Sequence, residues 1–273
     1  ETTLQNMRCG GIYDHIGFGF HRYSTDSHWL VPHFEKMLYD QALLCMAYTE
    51  AYQATGNSLY ATTVCEIITY VLRDMTSPVG GFYSAEDADS AKEEGKFYIW
   101  SASEIQKALS SIDSDLFCRI FNIQQNGNFS DESTGIQKKL NILHMRASIK
   151  DLAANLKISD SELIKTVEKL CKRLFNHRKK RPHPHKDDKI LTDWNGLMIA
   201  ACAKAGRALG NRKFISAAVN AVDFILSNML SANGRLLHRY RDTSAAISGQ
   251  ASDYAFFVWG LIELYEATFD VQY

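Results

Sequence analysis

Apolar residues along this chain recur at spacings of three and four, which is the period of an amphipathic helix and not of a strand. Leu43, Ala47, Ala51 and Ala54 mark one helical face, and Ile67, Ile68, Val71, Leu72 and Met75 mark a second helix that must stop before Pro78 and Gly80. The same periodicity predicts helices within residues 101–121, 160–175, 193–209, 211–230 and 252–268. Residues 123–145 break it, with Asn126-Gly127-Asn128 and Thr134-Gly135, and read as an irregular insertion. Residues 176–190 read as a polar connector inside a single domain spanning 1–273.

The pattern repeats. Residues 40–83 lie over residues 194–237 without a gap, so that Leu43, Ala47, Ala51, Ala54, Gly56, Asn57 and Gly80 meet Leu197, Ala201, Ala205, Ala208, Gly210, Asn211 and Gly234. A third, partial copy starts near the end. Asp40-Gln41-Ala42-Leu43-Leu44 resembles Asp253-Tyr254-Ala255-Phe256-Phe257, and His-Arg-Tyr precedes both, at 21–23 and at 238–240. A helix, a Gly-Asn turn and a returning helix, copied along the chain, predict an all-α array of hairpins of the (α/α) toroid class. The final copy has a first helix and no second, so the array reads as incomplete. The opening Glu1-Thr2-Thr3, without Met, reads as the start of a fragment.

Charge changes this picture little. Lys plus Arg is 30 against Asp plus Glu at 31, a balance that steers the chain towards neither nucleic acid nor an anionic membrane, and no apolar stretch approaches membrane length. The basic run His177-Arg178-Lys179-Lys180-Arg181 reads as a solvated helix end. Six cysteines without a C-x-x-C pair read as free thiols, which mildly favours a reducing compartment and argues against thiol–disulfide exchange. Without a native N-terminus a secreted location stays open.

Candidate chemistry sits in three connecting segments. The first, from Gly10 to Asp40, carries His21, Arg22, Trp29, His33, Glu35 and Asp40; rings to stack on a sugar face and carboxylates to bind hydroxyls or move protons suit a carbohydrate. A hydrogen-bonded loop with Trp29 in the core is the plainer reading. The second, Gly80 to Trp100, carries Tyr83, Glu86, Asp87 and Asp89, and reads as an acid–base pair or as a solvated acidic turn. Glycine is missing where a calcium loop of the EF-hand type needs it, so no metal is expected. The third, Lys186 to Gly196, sets Trp194-Asn195 at a repeated helix start, where they would line the same central opening as Tyr39-Asp40, with helix capping by Asp193 or Asn195 as the alternative.

The strings GGIYDHIGFGFHRYSTDSHWLVPHFEKMLYDQALL, GGFYSAEDADSAKEEGKFYIW, DDKILTDWNGLMIAA and SDYAFFVWGLIELYEATFD resemble, in this order, blocks of the thioredoxin-domain-containing, spermatogenesis-associated protein 20 family. The resemblance covers nearly the whole chain and implies part of a six-hairpin glycosidase-like toroid, related in fold to sugar epimerases and glycoside hydrolases. The family's N-terminal thioredoxin-like domain has no counterpart in these strings. Against the family pattern, Asp193 replaces a small residue and Gln250-Ala251-Ser252 replaces a more acidic lead into Asp253. Two functions fit. In one, the chain binds or processes a sugar or glycoside without a cofactor. His21, His33, Glu35, Asp40, Glu86, Asp87 and Asp89 then serve proton transfer, and Arg22, Trp29, Tyr83, Trp194, Asn195, Asp253 and Tyr254 serve binding. In the other, it is a non-catalytic scaffold of a redox-regulatory protein.

Overall fold

The computed structural model describes residues 1–130 and 139–273; Thr134 and Gly135 lie outside them. Ten helices fall among the described residues: α1 (Thr2–Cys9), α2 (Leu38–Thr55), α3 (Ser58–Asp74), α4 (Ala102–Ala108), α5 (Ser111–Ile120), α6 (Ile149–Leu156), α7 (Asp160–Arg178), α8 (Thr192–Leu209), α9 (Arg212–Asn228) and α10 (Ala251–Thr268). The stretch expected as one helix over 101–121 is two. Ser101 closes a capping box with Glu104, and Ser110 starts α5 by accepting from Asp113 N. The chain, read from its sequence as one domain, packs as two compact units, Glu1–Glu35 with Ala88–His185, and Lys36–Asp87 with Lys186–Tyr273.

The first unit holds α1 and, around Trp100, Ile105, Phe117, Phe121, Leu163, Leu170 and Leu174, the helices α4–α7. Its strands are short: Tyr23–Ser24 pairs with Pro32–His33, and Asp89–Ser90 with Glu93–Glu94. The basic run corrects one reading. Arg178 is almost wholly buried on Asp14, and Arg181 donates to the carbonyls of Phe97 and Ile99 while lying 4.0 Å from the Trp100 ring centroid. Only Lys179 and Lys180 behave as the solvated helix end that the charges suggest.

The second unit is the repeat made solid. The bounds of α8 and α9 are those of α2 and α3 carried along by the repeat's offset. Both first helices end on a left-handed glycine, Gly56 at φ 69° and Gly210 at φ 64°, where any side chain would be strained. Asn57 and Asn211 then cap the returning helices, accepting from Leu59 N and Lys213 N. α8 packs between α2 and α10. Gly196 and Gly260 let α8 and α10 approach: a Cβ on Gly260 would stand 2.8 Å from the Gly196 carbonyl oxygen.

This arrangement explains why the apolar stripe is covered in one copy and not in another. Leu197, Ala201 and Ala205 of the middle helix are buried, whereas Leu43, their counterpart on α2, is 47% exposed. α2 instead buries Leu38, Gln41, Ala42, Cys45, Met46, Tyr48 and Thr49. All six thiols are free; Cys45, Cys171 and Cys202 are buried, and burial lifts Cys202 to about 12, which leaves it a poor nucleophile. No helix among the described residues is long and apolar enough to cross a membrane.

Two small sheets complete this unit. Lys36–Met37, Ala85–Glu86 and Lys186–Asp187 form one, joining the three polar segments found in the sequence. Ile190–Leu191, Leu237–Arg241 and Ser244–Ser248 form the other, which delivers His238 to the first turns of α8 and α10.

Candidate functional site

In the first unit the hairpin of Tyr23–Ser24 and Pro32–His33 sets Tyr23 opposite His33, with the rings stacked at 5.1 Å. His33 reaches Glu94 through Nδ1 at 2.7 Å and Glu35 through Nε2 at 3.2 Å, and Arg22 donates to Glu35 at 3.0 Å. The first and second polar segments thus meet at His33. The guanidinium, the imidazole and the two carboxylates bond to one another at a partly open surface, where ion pairs stabilise little.

Other expected residues of this unit have structural work. His21 is buried, bonded through Nδ1 to the Phe34 carbonyl and packed edge-on against Phe34 and Tyr98. Trp29 holds a left-handed turn at φ 61°, and its carbonyl accepts from Ile12 N. Asp89 is exposed at the edge of a two-residue strand.

In the second unit Glu86 is buried between its cross-strand neighbours Lys36 and Lys186; Tyr70 donates to it at 2.7 Å and Lys186 Nζ lies 3.8 Å away. That makes Glu86 a bonded link of the sheet. Asp87 is exposed and Tyr83 half-buried, with Lys186 Nζ 5.8 Å from the Tyr83 ring. Asp40 lies half-buried in the first turn of α2.

Asn195 is a correction. It is fully buried, its Oδ1 accepts from Phe82 N at 2.7 Å, and its Nδ2 donates to the carbonyls of Phe82 and Leu191. Those bonds use its amide to tie α8 to the first repeat, which leaves it nothing with which to bind a substrate.

A more reactive cluster stands beside it. Asp253, fully buried at the third position of α10, receives His238 Nδ1 at 2.9 and 3.1 Å, Asp193 N at 3.0 Å and Gln250 N at 2.7 Å. Asp193, in the first turn of α8, is half-buried. Burial pushes its carboxyl up from the ordinary value, and Asp253 adds to the rise against the lowering by the Trp194 amide and His238. Next to it Trp194 meets Tyr39 edge-on at 4.8 Å. Tyr254 is exposed at its ring while its hydroxyl accepts from Leu236 N.

Ligand atoms of Asp193, His238 and Asp253 all lie within 4.8 Å of one another. The trio has donors that suit a cation, but both Asp253 oxygens already accept N–H groups, so Asp253 is better described as a hydrogen-bonded hub than as a ligand. Sequence reasoning named Asp253, Trp194 and Tyr254 and missed His238. The recurring His-Arg-Tyr tripeptide was the available signal.

No family model matches the chain. Spermatogenesis-associated protein 20 of Homo sapiens is 40% identical over 97% of the chain, and its Mus musculus counterpart is 38% identical over the same share. The chain spans 37% of the length of each. Among solved structures, cellobiose 2-epimerase from Bacillus thermoamylovorans is 14% identical with a TM-score of 0.26, covering 92% of this chain and 78% of that one. A family 76 glycoside hydrolase (mannosidase) from Bacteroides thetaiotaomicron is 11% identical with a TM-score of 0.31, covering 97% of this chain and 61% of that one. The sequence relationship is the informative one: this chain belongs, as a segment, to the spermatogenesis-associated protein 20 family.

Proposed function

We propose that the second unit carries a carbohydrate site at Asp193, His238 and Asp253, flanked by Trp194 and Tyr39. What supports this reading is the union of a half-buried acid, a carboxylate-held imidazole and an aromatic pair at the first turns of α2, α8 and α10 and on the strand Leu237–Arg241. A sugar ring offers an apolar face to stack and hydroxyls to bind, and this set supplies both needs. Against a purely structural role stands His238, whose side chain remains 23% exposed although its Nδ1 is firmly bonded.

Isothermal titration of the chain with a panel of mono- and disaccharides tests the reading. At least one sugar should bind, and Trp194→Ala should weaken it about tenfold or more, roughly 1.4 kcal/mol, through loss of stacking. Glu86→Gln is the unsuitable control, because it would disturb the sheet; Asp89→Asn, exposed in the other unit, should leave affinity unchanged. A chain that binds no sugar, or a Trp194→Ala variant that binds as tightly as the parent, contradicts the site and favours a scaffold.

A further inference from the structure

We infer that the open face of α7 docks the first unit onto an anionic lipid surface. The inference is independent of the carbohydrate reading, which concerns the second unit.

A net charge of −1 describes the whole chain and hides how its cations are placed. α7 buries Leu163, Leu170 and Leu174 in the core of the first unit. At about 100° per residue, Lys165, Lys169, Lys172, Arg173 and the cap residue Lys179 fall within about a third of the helix circumference, on the side away from those leucines. All five are exposed, and Lys180 extends the row. At about 1.5 Å per residue, Lys165 and Lys179 stand about 21 Å apart along the axis. Arg173 is held by Asp113 at 2.8 Å and by the Ala108 carbonyl at 3.2 Å. The lysines have no carboxylate partner among the described residues, although Glu162 and Glu168 are exposed on the same helix. Five lysines against those two carboxylates leave this face with a local excess of positive charge.

The face also offers a seat. Lys165, Glu168, Lys169, Lys172, Arg173 and Asn176 line an open depression of about 550 Å³, which has room for a phosphorylated headgroup. Its cations and its side-chain amide supply N–H donors that suit phosphate oxygens.

Two apolar side chains choose between the polyanions that such a row could meet. Ile164, next to Lys165, is 43% exposed, and Ile112, next to the Asp113 that holds Arg173, is 81% exposed. A nucleic-acid backbone would leave both in water. The headgroup boundary of a bilayer takes them in and removes apolar area from water. The contact is peripheral: lysines draw the face to anionic headgroups, and the isoleucines enter the boundary beside them.

The test is flotation of the chain with vesicles of phosphatidylcholine, with and without phosphatidylserine. The chain should float with the anionic vesicles only. Sodium chloride raised from about 0.1 M to about 1 M should release it, because screening shortens from about 10 Å to about 3 Å. The triple variant Lys165→Gln, Lys169→Gln, Lys172→Gln should partition about 10²-fold more weakly, about fivefold for each lysine, which is about 1 kcal/mol apiece. Ile112→Ser should weaken partition several-fold, and by the same factor at low and at intermediate salt. Unfolding midpoints should match the parent in both variants, because these side chains lie outside the core. Equal flotation with neutral vesicles, no flotation with either, or a triple variant that partitions like the parent would overturn the inference. A DNA duplex at equal phosphate concentration is the competing probe: tighter binding to it than to the anionic vesicles would assign the face to nucleic acid instead.

Discussion

Asp14→Asn is expected to destabilise the first unit by about 3–5 kcal/mol, the cost of stranding one partner of a buried ion pair. Arg178 and Asp14 are 3% and 4% exposed at their side chains. The guanidinium donates to the carboxylate through two nitrogens, each at 2.8 Å, while Asp14 Oδ1 also accepts from the amides of Ile16 and Gly17. The faces of Phe97 and Tyr98 enclose the cation, at 4.9 and 5.4 Å from its central carbon. A Cβ on Gly17 would fall 2.0 Å from an Arg178 nitrogen, so the loop carries glycine where the guanidinium passes. Denaturant unfolding followed by circular dichroism measures the loss. A change under about 1 kcal/mol would show that the pair is solvated and the packing wrong.

The second large effect is acid sensitivity centred on His15. Its ring is 6% exposed, with Nε2 donating to the Gly10 carbonyl at 2.9 Å and Nδ1 facing Arg8 Nη1 at 3.4 Å. Burial, followed by the Arg8 charge, depresses its pKa to about 3. The neutral imidazole fits these partners: one nitrogen donates and the other accepts from Arg8. The sign follows from linkage. Below pH 6.5 the unfolded chain protonates this histidine while the folded chain resists until about 3, so stability falls as pH drops through that window. The effect is on the order of 4 kcal/mol across the interval. Carboxylates also lose stabilising bonds in acid, so the quantity to compare is the slope of the parent with that of His15→Gln between pH 6.5 and 4. A smaller acid slope in the variant is the expected result; equal slopes would remove His15 from the account.

These two sites show what the sequence makes legible and what it hides. Helical hairpins were readable because Gly56-Asn57 and Gly210-Asn211 punctuate a repeated apolar period, and punctuation is a local property of the backbone. Which face of a repeated helix is covered was not readable. Leu43 and Leu197 occupy one repeat position, and only the second has helices on both sides. Charge was the least faithful guide. Arg178 and Lys179 look alike in a basic run, yet one completes a buried pair with Asp14, far away in the chain, and the other is solvated.

The site divided in the same way. Trp194 and Tyr39, at the starts of the repeated helices α8 and α2, meet edge-on one position off the repeat's register, a contact the alignment does not give. His238 escaped notice because its partner, Asp253, lies across a hairpin turn, and a periodic pattern carries no information on that approach. Residues chosen for being polar and clustered, His21, Glu86 and Asn195, turned out to be buried and bonded to the protein itself. Burying a polar group costs stability unless its bonds are met, so a polar residue in a packed connection is more often a tie than a tool.

The central claim is that ligand binds at Asp193, His238 and Asp253 in the second unit and not at the Arg22–Glu35–His33–Glu94 chain in the first. Heteronuclear NMR of the histidine rings during a sugar titration separates them. The His238 ring signals should move with the binding isotherm while those of His33 stay in place. Movement at His33 with His238 unchanged would contradict the account.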